Sequence, residues 1–169
     1  MIIWLASYPK SGNTWVRAFL SSILYSDEGI NDFSTLHKIR QFPTREHFEN
    51  LVDDFQNPKK IIANWKNAQD KINLDNRIKL LKTHHVLCKI ANFEFTNNSN
   101  SLGVIYIVRD PRSVLLSLKH HFGMKDLDEA RNFITNNNIW VGINKSEKYK
   151  NKATKIPTLI GSWRVNYLS

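Results

Sequence analysis

Cross-links of any kind are scarce in this chain. Of 169 residues one is cysteine, Cys88. It cannot form an internal disulfide, fits a reducing compartment, and has burial as its default role. No group of His, Cys, Asp or Glu has the spacing of a metal site, so no metal is expected. No apolar run approaches the roughly eighteen residues of a membrane-crossing helix, which excludes a membrane span. Zinc-finger spacing, an RNP aromatic signature and a basic heptad array are all missing, so nucleic acid is not an expected partner. The chain enters an apolar strand directly, without a basic segment, an apolar core and a small-residue cleavage site, and this predicts a cytoplasmic protein. Low-complexity linkers and internal repeats are also lacking. Residues 1–169 therefore read as one domain, long enough for a proper core and too short for two large ones.

Acidic side chains are outnumbered, 15 against 24 Lys and Arg, for a formal net charge of +9. That excess fits an anionic ligand without naming it. The densest basic group (Lys145, Lys148, Lys150, Lys152 and Lys155) is mixed with Glu147 and polar residues and reads as a solvated loop. Hydrophobic residues at 41% and charged residues at 23% are ordinary for a soluble globular protein.

The stretch that organises the chain is Met1 to Arg17, MIIWLASYPKSGNTWVR. Ile2 to Ala6 has the pattern of a strand buried on both faces of a parallel sheet. A tight turn follows, Tyr8-Pro9-Lys10-Ser11-Gly12-Asn13, and then an amphipathic helix from Thr14 to about Tyr25. Strand, glycine turn and helix place free backbone N–H groups, a positive helix end and a lysine around one spot, which suits a phosphate or sulfate. The ATP-binding pattern G-x-x-x-x-G-K-S/T is not present, because Lys10 precedes Gly12 instead of following it.

Further on, 27–42 is polar and irregular and shows no strand. Thr44 suits a helix N-cap, with Phe48, Leu51, Val52 and Phe55 at helical spacing over 45–55, closed by Asn57-Pro58. A second helix is predicted from about Lys60 to Lys71, with Ile61, Ile62, Trp65 and Ala68 on one face. Together these two helices can form part of a substrate pocket or lid. Ile78 to His85 is a short apolar run ending in polar groups, 91–101 reads as loop, and Gly103 to Val108 is the clearest strand of the chain. Asp110 and Pro111 then start a helix through Val114, Leu115 and Leu118, and a weaker helix covers Asp126 to Thr135. Strands alternating with helices argue for an α/β fold with a parallel sheet. The turns Tyr8–Thr14, Thr83–His85 and Arg109–Arg112 all follow strand carboxyl ends, where ligands of such sheets sit.

These turns carry a family resemblance. Pro9-Lys10-Ser11-Gly12-Asn13-Thr14-Trp15 resembles the 5′-phosphosulfate loop P-K-S-G-T-T-W of sulfotransferases that use 3′-phosphoadenosine-5′-phosphosulfate (PAPS), with Asn13 in place of the first threonine. Arg109, at a strand end, and Ser117, eight residues on, are similar to the family's 3′-phosphate-binding pair. Arginine suits that role through its planar, bidentate fork, although an ion pair with Asp110 or Asp126 is the alternative. Lys82-Thr83-His84 resembles the family's K-T-H segment, whose histidine is the catalytic base. The family pattern often continues Leu-Pro where this chain has His85-Val86, so His85 stays open as the base.

The resemblance implies a three-layer fold of P-loop type and a defined set of roles. Lys10, Ser11, Gly12, Asn13, Thr14 and Trp15 would hold the donor's 5′ end and adenine, and Arg109 and Ser117 its 3′-phosphate. Lys10 and Lys82 would meet developing negative charge, and His84 would deprotonate a hydroxyl or amine of a small-molecule or glycan acceptor, releasing 3′-phosphoadenosine-5′-phosphate (PAP). The family's late R-K-G-x-x-G motif has no match, which predicts a fold incomplete at its C-terminal end with weak binding and little turnover. The rival readings are a P-loop kinase or NTPase and a non-enzymatic nucleotide-binding fragment.

Overall fold

A computed structural model of the chain describes residues 1–30, 32–143 and 155–169. Four of the basic residues expected in a solvated loop, Lys145, Lys148, Lys150 and Lys152, lie outside the described residues.

The fold is a mixed α/β arrangement around a parallel sheet of four strands in the order β2-β3-β1-β6. Strand β1 is Ile2–Ser7, β2 Arg40–Gln41, β3 Lys79–Thr83 and β6 Ser101–Ile107. β1 pairs with β3 on one side and with β6 on the other, Leu5 standing opposite both Lys82 and Ile105. Ile2 and Leu5 are fully buried, as a continuous apolar run between two neighbours requires.

Helix α1, Asn13–Tyr25, follows β1 directly, and a short helix α2 covers Phe33–Leu36. Strand β2 then appears where the sequence shows none. Two residues are too few for a periodic signal; Arg40 and Gln41 are drawn into extended pairing by the free edge of β3, opposite Leu81 and Lys82. Their neighbours Ile39 and Phe42 are fully buried.

The helix predicted over 45–55 is cut to α3, Arg45–Phe48. Its end is local: Glu49 leaves the helical region and Asn50 takes φ 65°, a left-handed stop that asparagine tolerates. Leu51, Val52 and Phe55 still pack against the core from the turns beyond. Asn57-Pro58 opens a helix as well as closing that stretch. α4 is Pro58–Ala63 with proline in its first turn, and Asn57 Oδ1 accepts from the Lys59 N–H at 3.0 Å. α5, Trp65–Asn73, follows after a break at Asn64. The predicted apolar face is correct, since Ile61, Ile62, Trp65 and Ala68 all enter the larger core cluster with Trp4, Phe42 and Leu81.

Within the stretch read as loop lies one strand of a small antiparallel hairpin, β4 at Lys89–Ile90 and β5 at Phe93–Glu94, turned by Ala91 at φ 52°. Helix α6, Pro111–Phe122, is capped by Asp110, and α7, Leu127–Thr135, by Asp126. Val114 and Leu118 of α6 meet Ile134 of α7 in a second cluster with Tyr8 and Ile160. β7, Trp140–Val141, pairs antiparallel with β8, Thr158–Leu159, and α8 spans Trp163–Leu168. Gly142 allows the hairpin to close, because a Cβ there would run into the Ile156 carbonyl.

β6, the clearest strand by sequence, lies at the edge of the sheet, with Val104 60% exposed. β-branched residues select extended backbone; they do not decide whether another layer covers it. Among the described residues no helix is long and apolar enough to cross a membrane, and no group of three or more His, Cys, Asp or Glu is placed to hold a metal ion.

Candidate active site

The carboxyl ends of β1, β3 and β6 open onto one cleft of about 910 Å³. Lys10, Gly12, Asn13, Thr14, Trp15, Lys82, His84, Arg109 and Ser117 line it. Of the candidate residues only Ser11 stays off its wall, 5% exposed with a buried hydroxyl that has no partner among the described residues.

The loop after β1 is shaped by two left-handed residues, Lys10 at φ 69° and Gly12 at φ 100°. The second value is glycine territory. A turn bond from the Ser11 N–H to the Tyr8 carbonyl (3.3 Å) closes it. Gly12, the cap of α1, leaves its own N–H and those of Asn13 and Thr14 without a partner among the described residues, as helix starts do. The first turn of α1 carries no acidic residue, so the positive helix end is not neutralised.

Arg109 reaches back from the end of β6, and its guanidinium donates to the Lys10 carbonyl at 3.1 Å. The alternative ion pairs for Arg109 are not made. Asp110 is bound by Arg112 at 2.6 Å, and Asp126 caps α7 through the Glu129 N–H. Arg109 and Lys10 therefore bring two cations to one side of the cleft with no acidic partner among the described residues. Ser117 faces the same space from α6, one turn before His121 and Phe122. Trp15 is 84% exposed, a bare aromatic surface at the rim.

From β3, Lys82 Nζ donates to Gln41 Oε1 at 3.1 Å. Burial, with Arg17 and Lys155 nearby, pushes its pKa down to about 8. His84 Nδ1 lies 2.7 Å from the Ser7 carbonyl oxygen. A carbonyl only accepts, so Nδ1 carries the proton and Nε2 keeps its lone pair. Burial first, and Lys82 second, lower the His84 pKa to about 3, which keeps the ring neutral near pH 7.

His85 is placed quite differently. Its ring stacks on Phe95 at 4.3 Å and meets Trp65 edge-on at 4.7 Å. Nδ1 donates to the Val86 carbonyl (2.7 Å), and Nε2 is buried with no partner among the described residues. Adjacent residues of an extended segment point opposite ways: one histidine lines the cleft and the other packs in the core.

Three supporting residues carried no sequence signal. Gln41 sits on the unpredicted β2, and Ser7 is the last residue of a strand read for its apolar pattern. Asn166, on α8, donates to the His84 carbonyl at 3.1 Å and to the Ile160 carbonyl at 2.9 Å while accepting from Tyr106 Oη at 2.6 Å. Asparagines in a polar tail look like solvent-facing residues until the tail folds back. The remaining wall comes from Pro43, Thr44, Arg45, Glu46 and Glu49 beside α3, and from Val141, Lys155, Ile156 and Thr158 near the β7–β8 hairpin.

A parallel α/β sheet whose first strand feeds a glycine turn, with cations gathered over its carboxyl edge, defines an anion-handling protein of P-loop type. The family model described as Sulfotransferase domain matches residues 2–169. The chain belongs to that family, whose chemistry is sulfuryl transfer. Among curated proteins none matches the chain.

Proposed function

We propose that this protein transfers a sulfuryl group from PAPS to a hydroxyl or amine of a small-molecule or glycan acceptor, with His84 as general base. The observation that carries the reading is the convergence on one cleft of the Lys10 loop, the Arg109–Ser117 pair and the free Nε2 of His84.

The residues present suit such a donor. Unpartnered N–H groups at Gly12, Asn13 and Thr14 and the ammonium of Lys10 would hold its 5′-phosphate end. Arg109 and the Ser117 hydroxyl would hold the 3′-phosphate, Arg109 by charge-assisted hydrogen bonds. The exposed face of Trp15 would stack on the adenine. PAPS, when bound, supplies the transferable sulfuryl group and a phosphate leaving group. Lys82, on the same cleft, would stabilise developing negative charge. His84 Nε2 would accept the proton of the acceptor O–H or N–H; its partner Nδ1–H, already bonded to the Ser7 carbonyl, is oriented for the imidazolium that results. Anionic charge of a bound donor nearby would raise the His84 pKa. The acceptor would lie against Gln41, Thr44, Glu46 and Lys155, a largely polar wall.

Calorimetric titration tests the donor assignment. PAP should bind and ATP, which lacks a 3′-phosphate, should compete poorly, which separates the reading from a P-loop NTPase. Arg109→Ala should cost PAP about ten- to a hundredfold in affinity, the equivalent of roughly 1.5–3 kcal/mol, and leave adenosine 5′-phosphosulfate nearly unaffected. Equal losses for both ligands would remove Arg109 from the 3′-phosphate site.

A further inference from the structure

We infer that the side chain of Asn13 acts on the base and not on the donor: through Ser7 it is a positioning residue for His84. Its side chain is 4% exposed and turns back under the loop, although the residue borders the cleft. The two N–H bonds of its amide go to the Leu5 carbonyl (3.1 Å) and to Ser7 Oγ (3.1 Å). Ser7 in turn offers two oxygens to His84 Nδ1, its carbonyl at 2.7 Å and its hydroxyl at 3.2 Å. The amide thus pins the carboxyl end of β1, and with it the acceptor that holds the proton on Nδ1 and leaves Nε2 bare. The carbonyl oxygen of the Asn13 side chain is buried without a partner among the described residues. That arrangement is costly, and it fits an amide kept for its two donors.

Asn13 is also the first residue of α1, whose backbone N–H belongs to the anion loop. One residue therefore links the loop to the tautomer of the histidine on the neighbouring strand end. The link requires no movement. It fixes the ring to the geometry of the strand end, and misplacement of a catalytic group by about 1 Å can cost a hundredfold in rate.

The inference rests on the proposed role of His84, and its test has a part that needs no turnover. Asn13→Asp keeps the shape, suits a helix start, and replaces the two donors by an oxygen facing two oxygens. Asn13→Ala removes the group. Imidazole ¹⁵N spectra at pH 7.5, with His84→Gln used for assignment, should show the Nδ1–H tautomer in the wild-type protein and a mixed or Nε2–H population in both variants. With PAPS and an acceptor that the wild-type protein turns over, Asn13→Ala should lower kcat between about ten- and a hundredfold while the Kd for PAP changes less than twofold; Asn13→Asp, which puts an acid at the helix start, is read by its spectrum alone. Unchanged ¹⁵N spectra in both variants would overturn the link to His84. A loss of PAP affinity matching the loss of rate would return Asn13 to the donor site. If the wild-type protein fails to bind PAP, the donor assignment falls, and the tautomer result still decides the link.

Discussion

His85 makes the fold sensitive to acid, and the size of the effect follows from its surroundings. The residue is 5% exposed, and its ring lies against Phe95 and Trp65 with a buried Nε2 that has no acceptor among the described residues. A proton added there would be an unsolvated charge. Burial accordingly lowers its pKa to about 4, against 6.5 for the free side chain, the bond to the Val86 carbonyl opposing the shift only in part. Above pH 6.5 neither the folded nor the unfolded chain protonates this group, and it contributes nothing to pH dependence. As pH falls below 6.5 the unfolded state takes up the proton and the folded state does not, so stability declines until about pH 4. At pH 5 the loss is about 2 kcal/mol from this one residue. His47, with its pKa also lowered to about 4 chiefly by burial, adds a similar amount over the same range. Against a typical domain stability of about 5–15 kcal/mol, the two together make the protein fragile near pH 5. Urea unfolding at intervals from pH 5 to 8 reads this directly. His85→Met, which keeps an adaptable apolar side chain in the gap, should reduce the difference between pH 8 and pH 5 by about 2 kcal/mol. An unchanged difference in that variant would refute the burial argument, whatever happens to absolute stability.

His84→Ala should cut turnover by roughly 10²–10⁴-fold, the range of a general base, with PAP affinity near wild type and His85→Met catalytically mild; exchanged phenotypes would make His85 the base. Lys82, its pKa lowered to about 8 chiefly by burial, should lose its proton in the unliganded protein as pH rises through that value, so kcat/KM should decline above about pH 8. An arginine stays protonated there, and an alkaline limb that does not move in Lys82→Arg would belong to another group. Val104→Lys, at a 60% exposed position on the edge strand β6, should leave the melting temperature within a few degrees of wild type and reduce aggregation measured by light scattering. A collapse of stability would show that Val104 is covered in solution.

Much of the site was legible because its chemistry is local. A strand, a glycine turn and a helix start follow one another within Ile2–Tyr25, and the backbone alone then leaves the N–H groups of Gly12, Asn13 and Thr14 unpartnered among the described residues. The same holds for Asp110-Pro111 at the head of α6 and for the alternation that separates His84 from His85. The short elements were not legible. β2 exists because β3 offers an edge, α3 stops because Asn50 accepts a left-handed turn, and the hairpin of β4 and β5 is too brief for any period to show.

By itself the sequence determined the glycine turn between strand and helix, the parallel α/β class and the identities of the charged groups, since each depends on residues close together along the chain. Tertiary structure alone decided how those groups are supported. Gln41 reaches Lys82, Asn166 grips the His84 carbonyl, and Ser7 sets the tautomer of a ring 77 residues away. It also turned the side chain of Asn13 away from the cleft toward Leu5 and Ser7. Such hydrogen bonds depend on which strand lies beside which and on how far a side chain is buried. Residue spacing along a single chain does not contain that information.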